Sequence, residues 1–164
     1  MNSARLRTGR HWVPAFLTAD GITEEAYRSW LHAKAAAHVR RDRNRGLAEV
    51  TGSAYRDAIH EAVLRSGGHD AYTGERLSWQ LISRYDNEAA RQGRHGYKAG
   101  FALLPTVDHV IASEKRATFA ICSWRTNAAK GDLGRGAFVD LCRKVLLCAG
   151  YIVTPPPQAA ERGS

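Results

Sequence analysis

Cysteine is scarce in this chain, and its spacing excludes two kinds of scaffold. The 164 residues contain three cysteines, Cys122, Cys142 and Cys148, and no C-x-x-C pair. An odd number without paired spacing argues against a disulfide framework and against a structural zinc site built on thiolates. Cys142 and Cys148 fall on an apolar helical pattern, where a free cysteine is usually a small buried hydrophobic residue. We therefore expect these two cysteines to be buried.

Long apolar runs are also missing. No stretch approaches the about 18 consecutive apolar residues that indicate a membrane-spanning helix. The first residues, MNSARLRTGRHWVP, lack the apolar segment of a signal peptide. These absences predict a cytoplasmic protein without a membrane partner.

Acidic residues are outnumbered by basic ones. The chain has 24 Lys and Arg against 16 Asp and Glu, a formal net charge of +8. A small domain this basic suits a polyanion, most often nucleic acid and less often an anionic membrane surface. The alternative is a protein that is basic without such a partner. Because arginine predominates, and its guanidinium matches phosphate oxygens at two points, the composition favours nucleic acid.

The length is that of one ordinary domain with a single core. With 44% hydrophobic and 24% charged residues, the composition excludes a mostly disordered chain. We expect an α+β fold in three segments: a basic helical region over residues 1–66, a core over 67–150, and a disordered tail over 151–164.

The basic region predicts two helices. Thr23 is a good cap for a helix that carries acids in its first turn and bases near Arg45. A second helix is expected from Ser53 to about Arg65, ended by glycine. The run VRRDRNR at 39–45 is the densest positive cluster. It is either a solvated helix end or a phosphate-binding edge, and its candidate contacts are Arg40, Arg41, Arg43 and Arg45.

The core segment predicts further elements. Alternation of Leu77, Trp79 and Leu81 favours a strand within 70–82, and the polar stretch 83–100 favours a surface loop. Two strands are expected in FALLPTVDHVIAS and ATFAICSWR, and then a helix capped by Thr126. The last element predicted is an amphipathic helix in GAFVDLCRKVLLCAG.

Two short stretches are candidates for one site. PTVDHV carries Asp108 next to His109, and CSWRTNAAKGD carries Asn127 three positions before Lys130. Asn127 follows Asp108 by 19 residues, and two strands joined by a short loop would return the chain to the first strand. We therefore expect these four side chains to converge.

Such a set suits phosphodiester hydrolysis. Carboxylate and amide oxygens are the donors that Mg²⁺ prefers. A neutral histidine beside the metal can take a proton from water, and a lysine can place positive charge near the phosphate.

These residues resemble the HNH nucleases of the ββα-metal, or His-Me finger, superfamily. The resemblance covers roughly residues 70–147 and includes YTGE at 72–75, a segment that often precedes the Asp-His strand. It implies a ββα-metal core within 67–150 and cleavage of double-stranded DNA by a metal-dependent endonuclease that uses Mg²⁺ or Mn²⁺.

The resemblance also implies a role for each matching residue. His109 would be the general base, Asp108 and Asn127 the metal ligands, and Lys130 a phosphate or structural contact. Arg125, next to this segment, is a further candidate for phosphate. Trp124 could stack on a base, although an aromatic residue on an interior strand is more often part of the core.

The sequence departs from the family pattern in two places. Many HNH proteins hold a structural zinc with two C-x-x-C pairs, whereas the corresponding positions here are Asp70, Thr73, Ser123 and Thr126. We therefore expect no structural zinc. The middle asparagine of the family name is also missing, and Thr118 lies at or near its place.

Two other functions stay open. The chain could be a non-catalytic, basic nucleic-acid-binding module with an HNH-like fold. It could also cleave RNA, as a toxin or defence effector. Target sequence and oligomeric state are not indicated by any residue.

Overall fold

A computed structural model describes residues 10–84, 88, 92–93, 99–111 and 117–154. They fall into two compact units, one ending at Gly131 and the other beginning at Asp132. The boundary that the sequence suggested, between residues 66 and 67, lies inside the first unit. The predicted tail lies mostly at residues 155–164, outside the described part of the chain. Among the described residues, no helix is long and apolar enough to cross a membrane.

The first unit opens with three helices, α1 (Ala15–Ala19), α2 (Glu24–Asn44) and α3 (Gly52–Ser66). The predicted cap of α2 is confirmed, since the Thr23 hydroxyl accepts a hydrogen bond of 3.2 Å from the amide of Ala26. Thr51 caps α3 in the same way. Gly67 ends α3 with φ of 54°, a left-handed conformation that glycine adopts without strain.

A short 3-10 helix (Trp79–Ser83) stands where we expected a strand. The alternation that suggested the strand is partly real, because Leu77 and Trp79 are both buried. The chain nevertheless turns here, since the amide of Leu81 bonds to the carbonyl of Ser78 at 3.1 Å. The extended part is limited to one bridge between His69 and Arg76.

An antiparallel hairpin and a helix follow as expected. Strand β1 (Pro105–Ile111) pairs with β2 (Thr118–Ser123), and Val107 lies opposite Ile121, Asp108 opposite Ala120, and His109 opposite Phe119. The pairing becomes irregular directly after His109. Helix α4 (Trp124–Lys130) begins without a connecting loop, and its cap is Ser123 rather than Thr126. The serine hydroxyl accepts from the Thr126 amide at 3.0 Å.

The core of the first unit lies between the hairpin and the long helices. Val107, Phe119 and Ile121 form one hydrophobic cluster with buried residues of α2, α3 and the 3-10 helix. Trp30 and Trp79 belong to it, as the sequence suggested. Each fully buried Val, Ile or Phe side chain contributes about 1.5–3 kcal/mol. The helices and the hairpin therefore share one core.

The second unit contains α5 (Arg135–Cys148). The helix itself is confirmed, but no residue of it is buried. Cys142 and Cys148 are exposed, so their predicted burial is wrong. An apolar stripe on a helix is covered only where another element packs against it.

A histidine buried in the core makes the stability of the folded protein depend on pH. His38 of α2 is 4% exposed and its Nδ1 has no hydrogen-bond partner in the described chain. Burial, aided by the charge of Arg41, lowers the pKa of His38 to about 4. The ring also faces His109, Asp42 and Lys34.

We predict that His38 makes the protein less stable in mild acid. Its pKa is lower in the folded than in the unfolded chain, so the unfolded chain takes the proton first as pH falls. The contribution of neutral His38 to the free energy of unfolding is fully present above pH about 6.5. It falls by roughly 3 kcal/mol as the pH decreases to 4. Urea unfolding of His38→Gln should show a smaller loss across this range. His32→Gln, at an exposed position of the same helix, is the control, and equal slopes for both variants would contradict the prediction.

Candidate functional site

Asp108 lies on the face of the hairpin that α4 covers. Its carboxylate is buried, with 6% of the residue exposed. Lys130 Nζ donates to Oδ1 at 3.1 Å, and the hydroxyl of Tyr72 donates to Oδ2. The Lys130 side chain is also buried. Removing only one partner of such a buried ion pair strongly destabilises the folded protein, because the other charge stays uncompensated.

Asn127 lies one turn before Lys130 on α4 and is half-buried. Residues three apart on a helix are neighbours on its surface. The structure therefore brings Asp108 and Lys130 into contact and puts Asn127 beside Lys130.

His109 lies on the opposite face of the hairpin, because successive side chains of a strand point to opposite sides. Its ring stacks on Phe119 with centroids 4.8 Å apart. Nδ1 lies 3.5 Å from Oδ2 of Asp42, and only 9% of the His109 side chain is exposed. Of the four side chains expected in one place, Asp108, Asn127 and Lys130 thus lie on one side of the hairpin, and His109 lies on the other.

Asp42 was not singled out from the sequence. It belongs to α2, is fully buried, and accepts a hydrogen bond of 2.6 Å from the Tyr55 hydroxyl. The only sequence signal is an acid inside the run VRRDRNR. The arginines on either side of it are typical of a surface, whereas the helical period turns position 42 inwards.

The histidine has an electrostatic setting suited to a base. Burial is the largest influence on His109 and lowers its pKa; the charge of Asp42 opposes this, and Arg45 and Arg41 lower it further. The imidazole is therefore neutral at neutral pH, the form that can accept a proton. Arg41 and Arg45 are exposed and lie close enough to act on His109.

The other candidate arginines lie on a groove between α2 and α3. A cavity of roughly 400 Å³ is lined by Arg40, Arg43, His32, Arg56, Asn44 and three other residues of these helices, none of them acidic. Arg43 also donates to the carbonyl of Val50 at 3.0 Å, which fixes its direction. The run 39–45 thus presents arginines on two sides of α2.

Trp124 is placed differently from what the sequence suggested, whereas the phosphate contact suggested for Arg125 stays a prediction. Arg125 is exposed and makes two hydrogen bonds of 2.7 Å to the carboxylate of Glu75. Trp124 is not on a strand but is the first residue of α4, and it is half-buried.

The four positions at which the HNH resemblance places zinc cysteines, Asp70, Thr73, Ser123 and Thr126, lie together. Asp70 Oδ2 accepts from the amide of Ser123 at 2.8 Å and from the hydroxyl of Thr126 at 2.7 Å. Its Oδ1 accepts from the amides of Tyr72 at 2.8 Å and Thr73 at 3.2 Å. Burial raises the pKa of Asp70, but these four hydrogen bonds outweigh it and the pKa is lowered. A charged carboxylate therefore joins the loop before β1 to the start of α4.

The donors at Asp108 and Asn127 have the chemistry of a magnesium site, since both offer oxygen. Within the described residues, no group of three or more His, Cys, Asp or Glu side chains could hold a metal ion. A cation here would therefore be held by one carboxylate and one amide. It would also have to compete with Lys130 for Asp108.

No protein-family model, curated protein or solved structure gives a significant match to this chain.

We predict that the Asp70 network can be converted into a zinc site. In a variant with Asp70, Thr73, Ser123 and Thr126 all changed to cysteine, four thiolates would replace the hydrogen-bonded groups. Structural zinc sites use four such ligands in two short pairs. The measurement is zinc content after dialysis, together with the melting temperature with and without chelator.

The control for the cysteine variant is Asp70→Cys with Thr73→Cys alone, which supplies only two ligands. We expect about one zinc per chain in the fourfold variant and no retained zinc in the control. Failure of the fourfold variant to retain zinc while folded would show that the four positions do not form a tetrahedral site.

Proposed function

We propose that this chain is a metal-dependent endonuclease that hydrolyses phosphodiester bonds in DNA, with a core of the HNH type. The observation that supports this best is the unit made by β1, β2 and α4. Asp108 on its first strand contacts Lys130 on its helix at 3.1 Å, Asn127 lies one turn earlier, and His109 follows Asp108 directly.

Asp108 and Asn127 are the residues that would hold the divalent cation. When bound there, the cation would supply a Lewis acid for the phosphate. The resemblance to HNH nucleases implies a 3′-oxygen leaving group and a 5′-phosphate end. His109 takes a proton from the attacking water. Lys130, which neutralises Asp108 in this structure, contributes positive charge near the phosphate.

The assignment of His109 as the base places a condition on its two ring nitrogens. Both are buried and neither makes a hydrogen bond within the described chain. An imidazole without a bound donor can still accept a proton. Since water hardly reaches this ring, we infer that substrate binding opens the His109 face.

The partner is DNA, held mainly through its phosphates. Arg41 and Arg45 place positive charge near His109. Arg40 and Arg43 extend the positive surface into the groove between α2 and α3. Contacts of this kind position a duplex without reading its sequence.

One observation favours a second function, that of a binding module without catalysis. The Asp108 carboxylate is already neutralised by Lys130 and hydrogen-bonded by Tyr72, and His109 is covered. A site that stays in this arrangement would bind nucleic acid without cleaving it.

We predict metal-dependent nicking of supercoiled plasmid that is lost in His109→Ala. Removing a general base lowers the rate by about 10²- to 10⁴-fold. Asp108→Asn and Asn127→Ala should lower the rate and raise the metal concentration needed. His69→Ala, at an exposed position before the hairpin, is the control and should cleave normally.

Circular dichroism must show that each of these variants is folded, because Asp108→Asn leaves Lys130 without a charged partner. Plasmid binding without nicking in Mg²⁺ or Mn²⁺ would favour the binding module. Cleavage restricted to structured RNA would replace DNA as the substrate.

We predict that the arginines near His109 carry part of the DNA affinity. Arg41→Gln with Arg45→Gln should weaken binding for all sequences alike. The slope of log K against log salt should become shallower by about 0.9 for each phosphate that is no longer neutralised, and thus by up to about 1.8. Fluorescence anisotropy over a salt series measures this, with Arg143→Gln on α5 as the control. An unchanged slope would remove both residues from the interface.

A further inference from the structure

Asp42 and His109 come from different parts of the chain but meet in the core of the first unit. Asp42 lies on α2, outside the hairpin and its helix, and is 0% exposed. Its Oδ2 lies 3.5 Å from Nδ1 of His109 and accepts a 2.6 Å hydrogen bond from Tyr55.

The buried groups in this contact are under-satisfied. Oδ1 of Asp42, Nδ1 of His38 and both nitrogens of His109 have no hydrogen-bond partner among the described residues. A buried carboxylate is costly unless it is hydrogen-bonded or paired, and one neutral hydroxyl compensates it only in part. At 3.5 Å, His109 Nδ1 approaches Oδ2 of Asp42 without forming a hydrogen bond in this structure.

The hairpin itself supplies no such partner in the described residues. Thr118, at or near the place where HNH proteins carry their middle asparagine, has a buried hydroxyl without a hydrogen bond in the described part of the chain. Phe119 contacts the His109 ring by stacking, which fixes its plane but not the position of its proton. Among the described residues, a carboxylate from outside the hairpin, Asp42, lies within 3.5 Å of Nδ1.

We infer that Asp42 is a positioning residue for His109: in the active arrangement its carboxylate accepts a hydrogen bond from Nδ1–H and so keeps Nε2 free to act as the base. This inference rests on the proposed function for the role of Nε2, but the Asp42 contact is independent of it. A hydrogen bond at one ring nitrogen determines which form of the ring is present. In the reaction the Nδ1 proton stays in place, and Nε2 takes the proton that water loses as its oxygen attacks phosphorus.

A purely structural role is the competing explanation. Asp42 joins α2 to α3 through Tyr55, and that hydrogen bond alone could account for a carboxylate in the core. The two explanations differ in what happens to the His109 proton, not in what happens to stability.

The experiment compares Asp42→Ala with Tyr55→Phe in the full chain. Two-bond ¹⁵N–¹H NMR reports the tautomer of His109, and cleavage of plasmid reports kcat and KM. We expect the Nδ1–H form in the wild type, a shift away from it in Asp42→Ala, and a fall in kcat on the order of 10³-fold with little change in KM.

Tyr55→Phe removes the structural hydrogen bond but keeps the carboxylate. It should lower the melting temperature, leave the tautomer as in the wild type, and reduce kcat far less than Asp42→Ala does. Asp42→Asn is the second variant if the alanine variant does not fold; it keeps the shape and removes the charge, and we expect it to weaken the preference for Nδ1–H.

The outcomes separate this inference from the proposed function. An unchanged His109 tautomer in a folded Asp42 variant overturns the positioning role, whatever the activity. Equal losses of kcat in Asp42→Ala and Tyr55→Phe also overturn it in favour of structure. A wild type that never cleaves overturns the nuclease proposal, while the tautomer on the same sample still decides the Asp42 contact.

Discussion

The alternation of side chains along a strand is the constraint on which the rest of the site depends. Asp108 and His109 are adjacent, so β1 must send one towards α4 and the other towards α2 and α3. A site that uses both residues has to be supported from both faces of the hairpin. The pairing becomes irregular directly after His109, so the regular ladder of β1 and β2 is interrupted there.

The two faces are supported by different parts of the chain. Asp108 is held by its own neighbourhood, through Lys130 and Tyr72, and the Asp70 network fixes the same segments to each other. His109 is held by the N-terminal helices, through Asp42 and the rings of His38 and Tyr55. These contacts join the N-terminal helices to the hairpin within the first unit. If the helices were a separate domain, His109 would lose the groups that surround it.

Local signals predicted most of the fold. Caps at Thr23 and Gly67, apolar stripes and the hairpin-to-helix order were readable because each depends on residues close in sequence. The strand expected at Leu77 and Trp79 failed because burial at spacing two also fits a tight turn against the core. Burial of Cys142 and Cys148 failed because an apolar stripe does not say what covers it.

Only the part of the candidate site that lies on β1 and α4 could be predicted from the sequence. The contact of Lys130 with Asp108 follows from a hairpin that returns to its start. The division of Asp108 and His109 between two faces also follows from strand geometry, although the convergence argument did not use it. Asp42 could not be found, because its contact with His109 spans 67 residues and depends on how α2 packs. Long-range packing of this kind leaves no local pattern.

Under the proposed function, the charge balance at Asp108 and Lys130 couples the binding of the cation to the binding of the substrate. Asp108 and Lys130 form a buried pair with no net charge. Adding a divalent cation to this pair would leave excess positive charge in a buried space, which is strongly unfavourable. A phosphate that enters with the cation supplies the missing negative charge and gives the Lys130 ammonium a new partner. The ion pair of Asp108 and Lys130 is therefore favoured without substrate. The arrangement that the reaction needs, with the cation at Asp108 and Lys130 against the phosphate, is favoured only when cation and phosphate are both present.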